Sequence, residues 1–405
     1  MEIELLAPAG DKQKLKTAFL YGADACYFAG KKYGLRAFSD NFDDDELKES
    51  IDYAHSLGKK CYITLNILAH NKDFEGMEDY IKYLDKIKVD AVICSDIGII
   101  SLVKKVAPNL DIHVSTQANI TNKYSAMEFV KMGVKRLILA RELSLEEIKE
   151  IRDFVPKDIE IETFIHGAMC ISYSGRCLLS NYLTGRDSNR GECVQACRWN
   201  YALCEKSRPN NFYEIMEDER GTYILNSKDL CLIEYIDKLA KAGITSFKIE
   251  GRMKSPYYVA NVVNAYRRAI SIYQKDPNNY NCPEYLVKEL EKSSNRGFTT
   301  GFYFNEEIKQ NYESSAAKSN ANFVAVCLED CKNGKVLIEQ RNRFKVGDVL
   351  EVLSPNDTFL KEIKVQKVYD TNGNEVEDCL KVQQKLYLET DIELKQNDIL
   401  RITNK

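Results

Sequence analysis

The chain of 405 residues is 44% hydrophobic and 29% charged, and its formal net charge at pH 7 is -4. This is the composition of a globular protein with enough chain for two or three domains. The slightly acidic balance excludes a global nucleic-acid signature, so any contact with RNA would depend on a local basic patch. No apolar run reaches the roughly 18 residues that a membrane span needs, and MEIELLAPAG lacks the pattern of a signal peptide. We therefore expect a cytoplasmic protein without a membrane partner.

Short apolar runs alternate with amphipathic segments along the first two thirds of the chain. The runs predict eight strands: Glu4 to Ala7, Ala23 to Phe28, Lys60 to Asn66, Ala91 to Cys94, Ile112 to Thr116, Arg136 to Ala140, Ile159 to Phe164 and Ser246 to Glu250. The amphipathic segments predict helices: Lys12 to Leu20, Asp45 to Leu57, Met77 to Ile87, Ile97 to Val106, Lys123 to Met132, Leu145 to Phe154, Cys231 to Ala242 and Pro256 to Tyr273. Strict alternation of strand and helix is typical of a parallel sheet.

Eight such units indicate an α/β protein built on a (β/α)8, TIM-like barrel. The alternative is a doubly wound open sheet, which also binds ligands at the carboxyl ends of its strands. The even spacing breaks once, after the seventh strand, where an insertion at about 168–225 delays the next helix. Because the loops that follow the strands form the active-site face of such a barrel, we expect the insertion to lie at its mouth.

Three regions follow from these patterns: the barrel over 1–275, a linker or lid over 276–319, and a C-terminal domain over 320–405. In the last region, segments such as KVLIEQRN and GDVLEVLS alternate apolar and polar residues between Asn, Gly and Asp turns. This pattern predicts a small antiparallel β-barrel, for which RNA binding, packing and dimerisation all stay open. In the middle region, Phe298, Phe302 and Tyr303 favour a lid because large aromatic side chains are costly to expose.

The insertion contains four cysteines at gaps of six, fifteen and three residues: Cys170, Cys177, Cys193 and Cys197. Thiolates gathered on Gly-rich sequence suit a tetrahedral four-sulfur site, which holds zinc or an iron–sulfur cluster. Zinc ribbons usually pair their ligands as Cys-x2-Cys, so this spacing favours a cluster. Nearby arginines would lower the thiol pKa values and offset the cluster charge: Arg176, Arg186, Arg190 and Arg198.

Two alternatives concern the same cysteines. Free cysteine is often buried as a small apolar residue, so the four thiols could serve packing alone. If they bind a metal, Cys204 and Cys231 are the plausible substitutes as ligands, since the remaining cysteines are scattered along the chain.

Polar side chains follow the predicted strands at their carboxyl ends and are expected to line one pocket. The candidates for substrate binding are Asn66, Gln117, Arg141 and Arg252. The two guanidinium groups suit a carboxylate-bearing substrate, because arginine can bind a carboxylate through two parallel hydrogen bonds. His166 and Glu250 are the candidate catalytic groups. For Ser95, Asp96 and Glu142, a helix cap or a loop hydrogen bond is an equal alternative.

Several segments resemble the collagenase-like peptidase family, also called peptidase family U thirty-two. They are LLAPAG, GADACYFAG, STQAN, FIHGAMCISYSGRCLLSNYLTGRDSNRGECVQACRWNY, YILNSKDL, FKIEGRMKSPYYVA and NRGFTTGFY. The resemblance extends over nearly the whole chain, including the C-terminal β domain. Within the family, the sequence is most similar to the tRNA hydroxylation branch.

The resemblance implies a 4Fe–4S cluster on the CISYSGRC and GECVQAC cysteines, and tRNA as the partner. It further implies hydroxylation of the wobble uridine to 5-hydroxyuridine with prephenate, a small dicarboxylate, as co-substrate. A partner subunit of the same family is a further candidate. On this interpretation, Arg186, Arg190 and Arg198 steer the anticodon phosphates, and a flipped uridine stacks on Trp199 or Tyr201.

Two other functions stay open. A serine or cysteine protease needs a nucleophile with a base in reach, and a zinc protease usually shows His-Glu-x-x-His, which this sequence lacks. Among the four histidines, His166 is the convincing candidate base, and Cys170 or Ser172 would then be the nucleophile. The remaining function is a noncatalytic scaffold for the cluster.

Overall fold

The computed structural model describes residues 3–33, 41–170, 172–199, 202–204, 212–214, 228–304 and 318–403. The strands of its first part are β1 Glu4–Pro8, β2 Ala25–Phe28, β3 Lys60–Leu65, β4 Ala91–Cys94, β5 Asp111–Val114, β6 Arg136–Ile138, β7 Glu160–Ala168, β8 Ala202–Cys204, β9 Phe212–Glu214, β10 Asp229–Cys231, β11 Ser246–Ile249 and β12 Phe298–Thr299. Strands β1 to β7 and β11 run parallel, and β11 pairs with both β1 and β7, which closes a barrel of eight strands. The predicted TIM-like barrel is confirmed.

The helices that the structure describes are α1 Lys12–Leu20, α2 Asp44–Ser56, α3 Met77–Lys86, α4 Ile97–Val106, α5 Lys123–Lys131, α6 Leu145–Phe154, α7 Leu179–Thr184, α8 Ile236–Lys241, α9 Pro256–Lys275 and α10 Glu284–Glu291. Local sequence fixes where several of them begin. Asp43 and Glu46 form a capping box at α2, and Ser144 and Glu147 form one at α6. Asp96 caps α4 by accepting a hydrogen bond from the backbone N–H of Ile99 at 3.1 Å.

The chain around β10 differs from the sequence prediction. A helix was expected from Cys231 to Ala242, but Asp229–Cys231 is a strand antiparallel to β7, and α8 begins only at Ile236. The physical reason is the length of β7, which continues to Ala168 and offers its backbone as a pairing edge. Residues 276–304 also contain structure of their own, since α10 packs on α9 and the Tyr303 hydroxyl donates to the Phe164 carbonyl at 2.8 Å.

Charged side chains fill the barrel interior at the amino-terminal ends of the strands. Arg136, only 3% exposed, donates to Glu4 at 2.6 Å and to Glu162 at 2.9 Å. Lys248 contacts the other oxygen of Glu162 at 2.7 Å. Burying unpaired charges is costly, so these partners stabilise one another. This network lies at the amino-terminal end of the barrel interior. The opposite face of the barrel, at the carboxyl ends of the strands, is called the mouth.

The C-terminal part is antiparallel β structure, as the sequence predicts. Its strands are β13 Ala321–Cys327, β14 Lys335–Gln340, β15 Phe344–Lys345, β16 Val349–Leu353, β17 Glu362–Lys364, β18 Val368–Asp370, β19 Asp378–Cys379, β20 Lys385–Glu389 and β21 Ile399–Thr403. Seven of them form one sheet in the order β17-β16-β21-β13-β14-β20-β18, and β15 pairs with β19. A separate apolar core beneath this sheet includes Val324, Ile338, Leu350 and Leu388.

Buried polar contacts hold the C-terminal sheet against the barrel. The Tyr21 hydroxyl lies 3.0 Å from the carbonyl oxygens of both Leu353 and Asn397. Arg401, which is fully buried, forms an ion pair with Glu289 of α10 at 2.7 Å and donates to Asn261 of α9 at 2.8 Å. The sheet is therefore fixed on the α9 and α10 side of the barrel. Within the described part of the chain, no helix is long and apolar enough to cross a membrane.

Candidate functional site at the barrel mouth

The cysteine-bearing insertion is anchored on the mouth by a bidentate ion pair. Both outer nitrogens of Arg190 contact the carboxylate of Asp73, at 2.7 Å and 2.8 Å, and Nη1 also donates to the Leu68 carbonyl at 2.6 Å. Hydrogen bonding to Arg190 lowers the pKa of Asp73 to about 2. The backbone N–H of Leu68 donates to Asn189 at 3.0 Å. These contacts join the insertion to the loop that follows β3.

A second set of contacts joins the insertion to the ends of β5 and β6. The backbone N–H of Ser174 donates to Glu142 at 3.0 Å, and its hydroxyl lies 3.2 Å from both carboxylate oxygens. Gly175 has a φ of +72°, and a Cβ at this position would lie 2.2 Å from the Gln117 carbonyl oxygen. Only glycine accepts both that backbone conformation and that close approach. The segment between the first two cysteines therefore packs closely against the mouth.

The cysteine thiols of the insertion influence one another. Partial burial raises the pKa of Cys170, and the neighbouring thiols of Cys177 and Cys193 add to the rise, whereas Arg141 lowers it. Arg141 belongs to the mouth, which links the thiols to the barrel electrostatically.

The surroundings of Cys177 lower the pKa of its thiol. Desolvation raises its pKa, but hydrogen bonding with Ser188, Ser172 and two backbone N–H groups outweighs that effect and lowers it. The Ser188 hydroxyl also lies 3.0 Å from the Cys177 carbonyl oxygen, to which it donates. The sequence predicted that flanking arginines would lower the thiol pKa values, whereas at Cys177 the cause is hydrogen bonding. The backbone N–H of Gln195 points at the Cys193 sulfur at 3.4 Å.

That the four cysteines of the insertion together bind one cluster remains a prediction. Among the residues that the structure describes, no group of three or more His, Cys, Asp and Glu side chains is arranged to hold a metal ion. The chemistry of the donors nevertheless fits a thiolate-bound cluster, since the cysteines share one docked insertion and hydrogen bonds favour the ionised form of one of them. Of the substitute ligands, Cys204 has no described side chain. The Cys231 thiol lies beside the Tyr266 hydroxyl, and burial raises its pKa to about 12.

Arg141 and Glu250 form the central charged pair of the mouth. Arg141 Nη2 lies 3.3 Å from Glu250, Nη1 donates to the Ala168 carbonyl at 2.6 Å, and the guanidinium stacks 3.8 Å from the centroid of the Phe164 ring. The Arg141 side chain is 15% exposed and the Glu250 side chain 14%. An arginine held in a fixed plane with part of its surface open is suited to binding a carboxylate.

The other candidates for substrate binding also lie at the carboxyl ends of the strands. The Asn66 side chain donates to the Ser115 hydroxyl at 3.4 Å. The Gln117 Oε1 atom is buried and, within the described residues, accepts no hydrogen bond. Arg252 is 4% exposed and donates to Asn41 at 2.7 Å, so most of its surface is covered.

His166 lies in an aromatic enclosure and not in the open mouth. It is 2% exposed, and its ring lies 5.5 to 6.1 Å from the rings of Tyr258, Tyr266 and Phe298. Burial, with a smaller contribution from Lys254, lowers its pKa to about 3, so the ring is neutral at pH 7. The predicted role as a catalytic base stays a prediction, and this position points to a role in packing instead.

The insertion surface combines exposed rings with positive charge. Trp199 is 45% exposed, Tyr173 61% and Tyr182 81%. Arg176 and Arg186 are exposed on the same insertion. The side chains of Arg198 and Tyr201 lie outside the described residues. Arg190, predicted to steer phosphates, forms an ion pair with Asp73 instead. The sequence did not reveal this contact, because Asp73 lies between β3 and α3 and not at a strand end.

The chain is similar in sequence to a known protein family and to several of its members. Sequence profiles for "Peptidase family U32" and "Peptidase family U32 C-terminal domain" match residues 10–313 and 319–401. "tRNA hydroxylation protein P1" of Bacillus subtilis is 44% identical over 379 residues, which are 92% of this chain and 88% of that protein. "tRNA hydroxylation protein P" of Escherichia coli is 39% identical over 87% of this chain and 86% of its own length. "Collagenase" of Porphyromonas gingivalis is 32% identical over 76% and 75%.

Proposed function

Because this chain belongs to peptidase family U32 and two of its relatives are tRNA hydroxylation proteins, we propose that it hydroxylates a uridine of tRNA. The target is the wobble uridine and the product 5-hydroxyuridine. The observation that carries the proposal is the docking of the four-cysteine insertion on the mouth through Arg190–Asp73 and Ser174–Glu142. This docking puts thiol chemistry beside the face on which a barrel of this kind binds its substrate.

The proposed cofactor is a 4Fe–4S cluster. Cys170, Cys177, Cys193 and Cys197 would hold it, and the hydrogen bonds to Cys177 favour the thiolate form that such a ligand needs. When bound, the cluster supplies electron-transfer or Lewis-acid chemistry at the mouth. The residues of the chain position this group through the insertion and its anchors.

The proposed co-substrate is a small dicarboxylate, with prephenate as the candidate. Converting uracil C5–H to C5–OH adds one oxygen atom and removes two electrons from the base, so another molecule must supply the oxygen and accept the electrons. Arg141 is the best-placed carboxylate partner, because its guanidinium is partly exposed and fixed between Phe164 and the Ala168 carbonyl. Arg252 is less accessible, since its side chain is almost completely covered.

The proposed RNA contacts use the exposed surface of the insertion. An unpaired base can stack on Trp199, Tyr173 or Tyr182, while the exposed Arg186 contacts phosphates. For Arg198, the same role rests on the sequence alone. Arg190 is left out of this set because it anchors the insertion. Stacking of this kind requires bases outside a duplex, which suits the single-stranded loop of an anticodon.

One experiment separates the proposed function from its alternatives. Protein purified without oxygen is analysed for iron and sulfide, and is then incubated with tRNA and prephenate or with denatured collagen. We expect about four irons per chain and 5-hydroxyuridine in the digested tRNA. Cleavage of collagen by iron-free protein would support the peptidase alternative, and an intact cluster without any change in tRNA nucleosides would support a scaffold.

The arginine assignment has its own test. Binding of prephenate is measured by calorimetry for the wild type, for Arg141→Gln and for Arg176→Gln, which changes an exposed arginine of the insertion. We expect Arg141→Gln to weaken binding about tenfold or more, because the charged hydrogen bonds to a carboxylate are lost. Equal affinity of all three proteins would remove Arg141 from the site.

A further inference from the structure

A second cleft lies between the barrel and the C-terminal sheet, away from the mouth. Its volume is about 320 Å³, and α1, α2 and the start of α9 form one wall while β13, β21 and the residue after β14 form the other. This volume is at the lower end of the range of small-molecule sites. The cleft shares no residue with the candidate site at the mouth, so it needs an explanation of its own.

Aromatic side chains make up much of the lining. Tyr53 lies on the barrel side, and Phe323 lies on the opposite wall. The Phe323 ring stacks on Tyr257 with centroids 5.5 Å apart and planes 9° from parallel, which holds both rings in a fixed orientation. The Tyr21 hydroxyl joins the walls through its bonds to the carbonyls of Leu353 and Asn397. The cleft is thus a fixed feature of the docked sheet.

The charged side chains of the lining are all positive. Among the described residues that line the cleft, Lys16 and Arg341 carry charge and none is acidic. The Lys16 ammonium lies 5.5 Å from the Tyr53 ring centroid, so a cation and an aromatic face are presented together. Glu339, adjacent to the lining, pairs with Arg341 Nη2 at 2.6 Å.

Arg341 has donor capacity left over. Its Nε atom is buried and has no hydrogen-bond partner within the described residues. The Arg341 side chain as a whole is 29% exposed, so its guanidinium presents surface to an anionic oxygen, the acceptor that it binds best. The pairing with Glu339 uses a different nitrogen and orients the group without satisfying Nε.

From these observations we propose that the cleft binds a nucleotide. Its phosphate contacts Lys16 and Arg341, and its base packs on the ring of Tyr53 or Phe323. Positive charge combined with aromatic faces is the chemistry that binds nucleotides without reading sequence. The nucleotide comes either from a strand of RNA or from a free mononucleotide, and the site lies outside the proposed hydroxylation site.

Photocrosslinking locates the nucleotide directly. The intact protein is irradiated with 4-thiouridine monophosphate or with an unstructured oligonucleotide that contains one 4-thiouridine, and the crosslinked peptides are identified by mass spectrometry. We expect crosslinks to the peptides that contain Tyr53 or Phe323. Crosslinking by both probes identifies a free nucleotide as sufficient, and crosslinking by the oligonucleotide alone identifies an RNA strand.

Variants make the test quantitative. Lys16→Ala combined with Arg341→Ala is expected to reduce crosslinking at the cleft, and affinity for the effective probe, about tenfold. Lys131→Ala is the matched control, because Lys131 is an exposed lysine that lies on α5, away from the cleft. It pairs with Glu128 of the same helix. Phe323→Leu tests the stacking wall while retaining an apolar side chain.

The outcomes distinguish this cleft from the mouth. Crosslinks confined to the insertion, with none at the cleft, would overturn the nucleotide site and leave the proposed hydroxylation untouched. Equal crosslinking at the cleft by the wild type and the double variant would also overturn it. Crosslinks at the cleft in a protein that leaves tRNA nucleosides unchanged would support the cleft and count against the proposed function.

Discussion

Arg190 and Asp73 meet in a two-point ion pair, with Nη1 to Oδ2 at 2.7 Å and Nη2 to Oδ1 at 2.8 Å. The pair joins the first half of the insertion to the loop after β3, more than a hundred residues earlier in the chain. The ion pair fixes this part of the insertion against the loop after β3, at the mouth. Loss of this pair should therefore loosen the insertion before it affects the barrel.

The first prediction concerns that anchor. Arg190→Ala should make the insertion more accessible to protease, because the charged hydrogen bonds that are lost contribute about 1.5–3 kcal/mol each. Cleavage within the insertion is measured by limited proteolysis and mass spectrometry, with Arg176→Ala as the exposed control. Identical cleavage rates in both variants would show that Arg190 does not hold the insertion.

The second prediction uses two glycines with similar backbone angles. Gly175 and Gly185 have φ values of +72° and +74°, but a Cβ would lie 2.2 Å from Gln117 at the first and meets nothing within 4 Å at the second. Gly185→Ala should cost only the backbone strain of about 1–2 kcal/mol. Gly175→Ala should in addition push the insertion off the mouth, which would be seen as lower iron content after anaerobic purification. Equal iron content in the two variants would contradict the close approach.

The third prediction concerns pH and His166. The pKa of His166 in the folded protein is lowered to about 3 from an ordinary value of 6.5, so the unfolded chain takes up this proton first as the pH falls. Its contribution to stability is therefore complete above about pH 6.5 and is lost progressively between pH 6.5 and 3. His166→Gln should flatten the dependence of the unfolding free energy on pH between 7 and 5, as measured by chemical denaturation.

The control for the histidine experiment is His55→Gln. His55 is 35% exposed and contacts Asp90 at 3.0 Å on the surface. If its variant and His166→Gln change the pH dependence equally, the enclosure around His166 is not the cause.

The fourth prediction concerns the contact between the barrel and the C-terminal sheet. Arg401→Met removes a fully buried cation and leaves Glu289 with Lys292 as its remaining ion-pair partner. Breaking a buried pair from one side typically costs about 3–5 kcal/mol. Calorimetry should show a lower unfolding temperature for this variant, and separate transitions if the sheet detaches. Arg343→Met breaks an exposed pair with Asp378 and should leave the unfolding temperature almost unchanged, because exposed ion pairs contribute little to stability.

The barrel could be predicted from the sequence because its strands are buried on both faces. Runs such as Ala91–Cys94 stand out as apolar segments between amphipathic helices. The strand Asp229–Cys231 could not be recognised, because three residues carry no periodicity and its pairing depends on the far end of β7. Helix α10 was missed in the same way, since Asn- and Pro-rich sequence before it suggested a linker.

The sequence allows a prediction of the site where chemistry is concentrated in one segment. Four cysteines within the insertion can be read directly, whereas their distances depend on a fold that brings distant loops together. Asp73 illustrates the limit, because it contacts the insertion from the loop after β3 and no local pattern encodes that contact. The catalytic role of His166 stays a prediction, and the sequence did not reveal that its neighbours in space are aromatic rings.

The central claim is that the cysteine insertion serves hydroxylation of tRNA. The most direct measurement is nucleoside analysis by mass spectrometry of tRNA from a bacterial strain that lacks its own homologue, complemented with the wild type, Cys177→Ala or Cys331→Ala. Cys331 lies in the C-terminal part and serves as the control. We predict that the wild type and Cys331→Ala restore 5-hydroxyuridine and that Cys177→Ala does not. Failure of the wild type to restore the nucleoside, or full restoration by Cys177→Ala, would contradict this account.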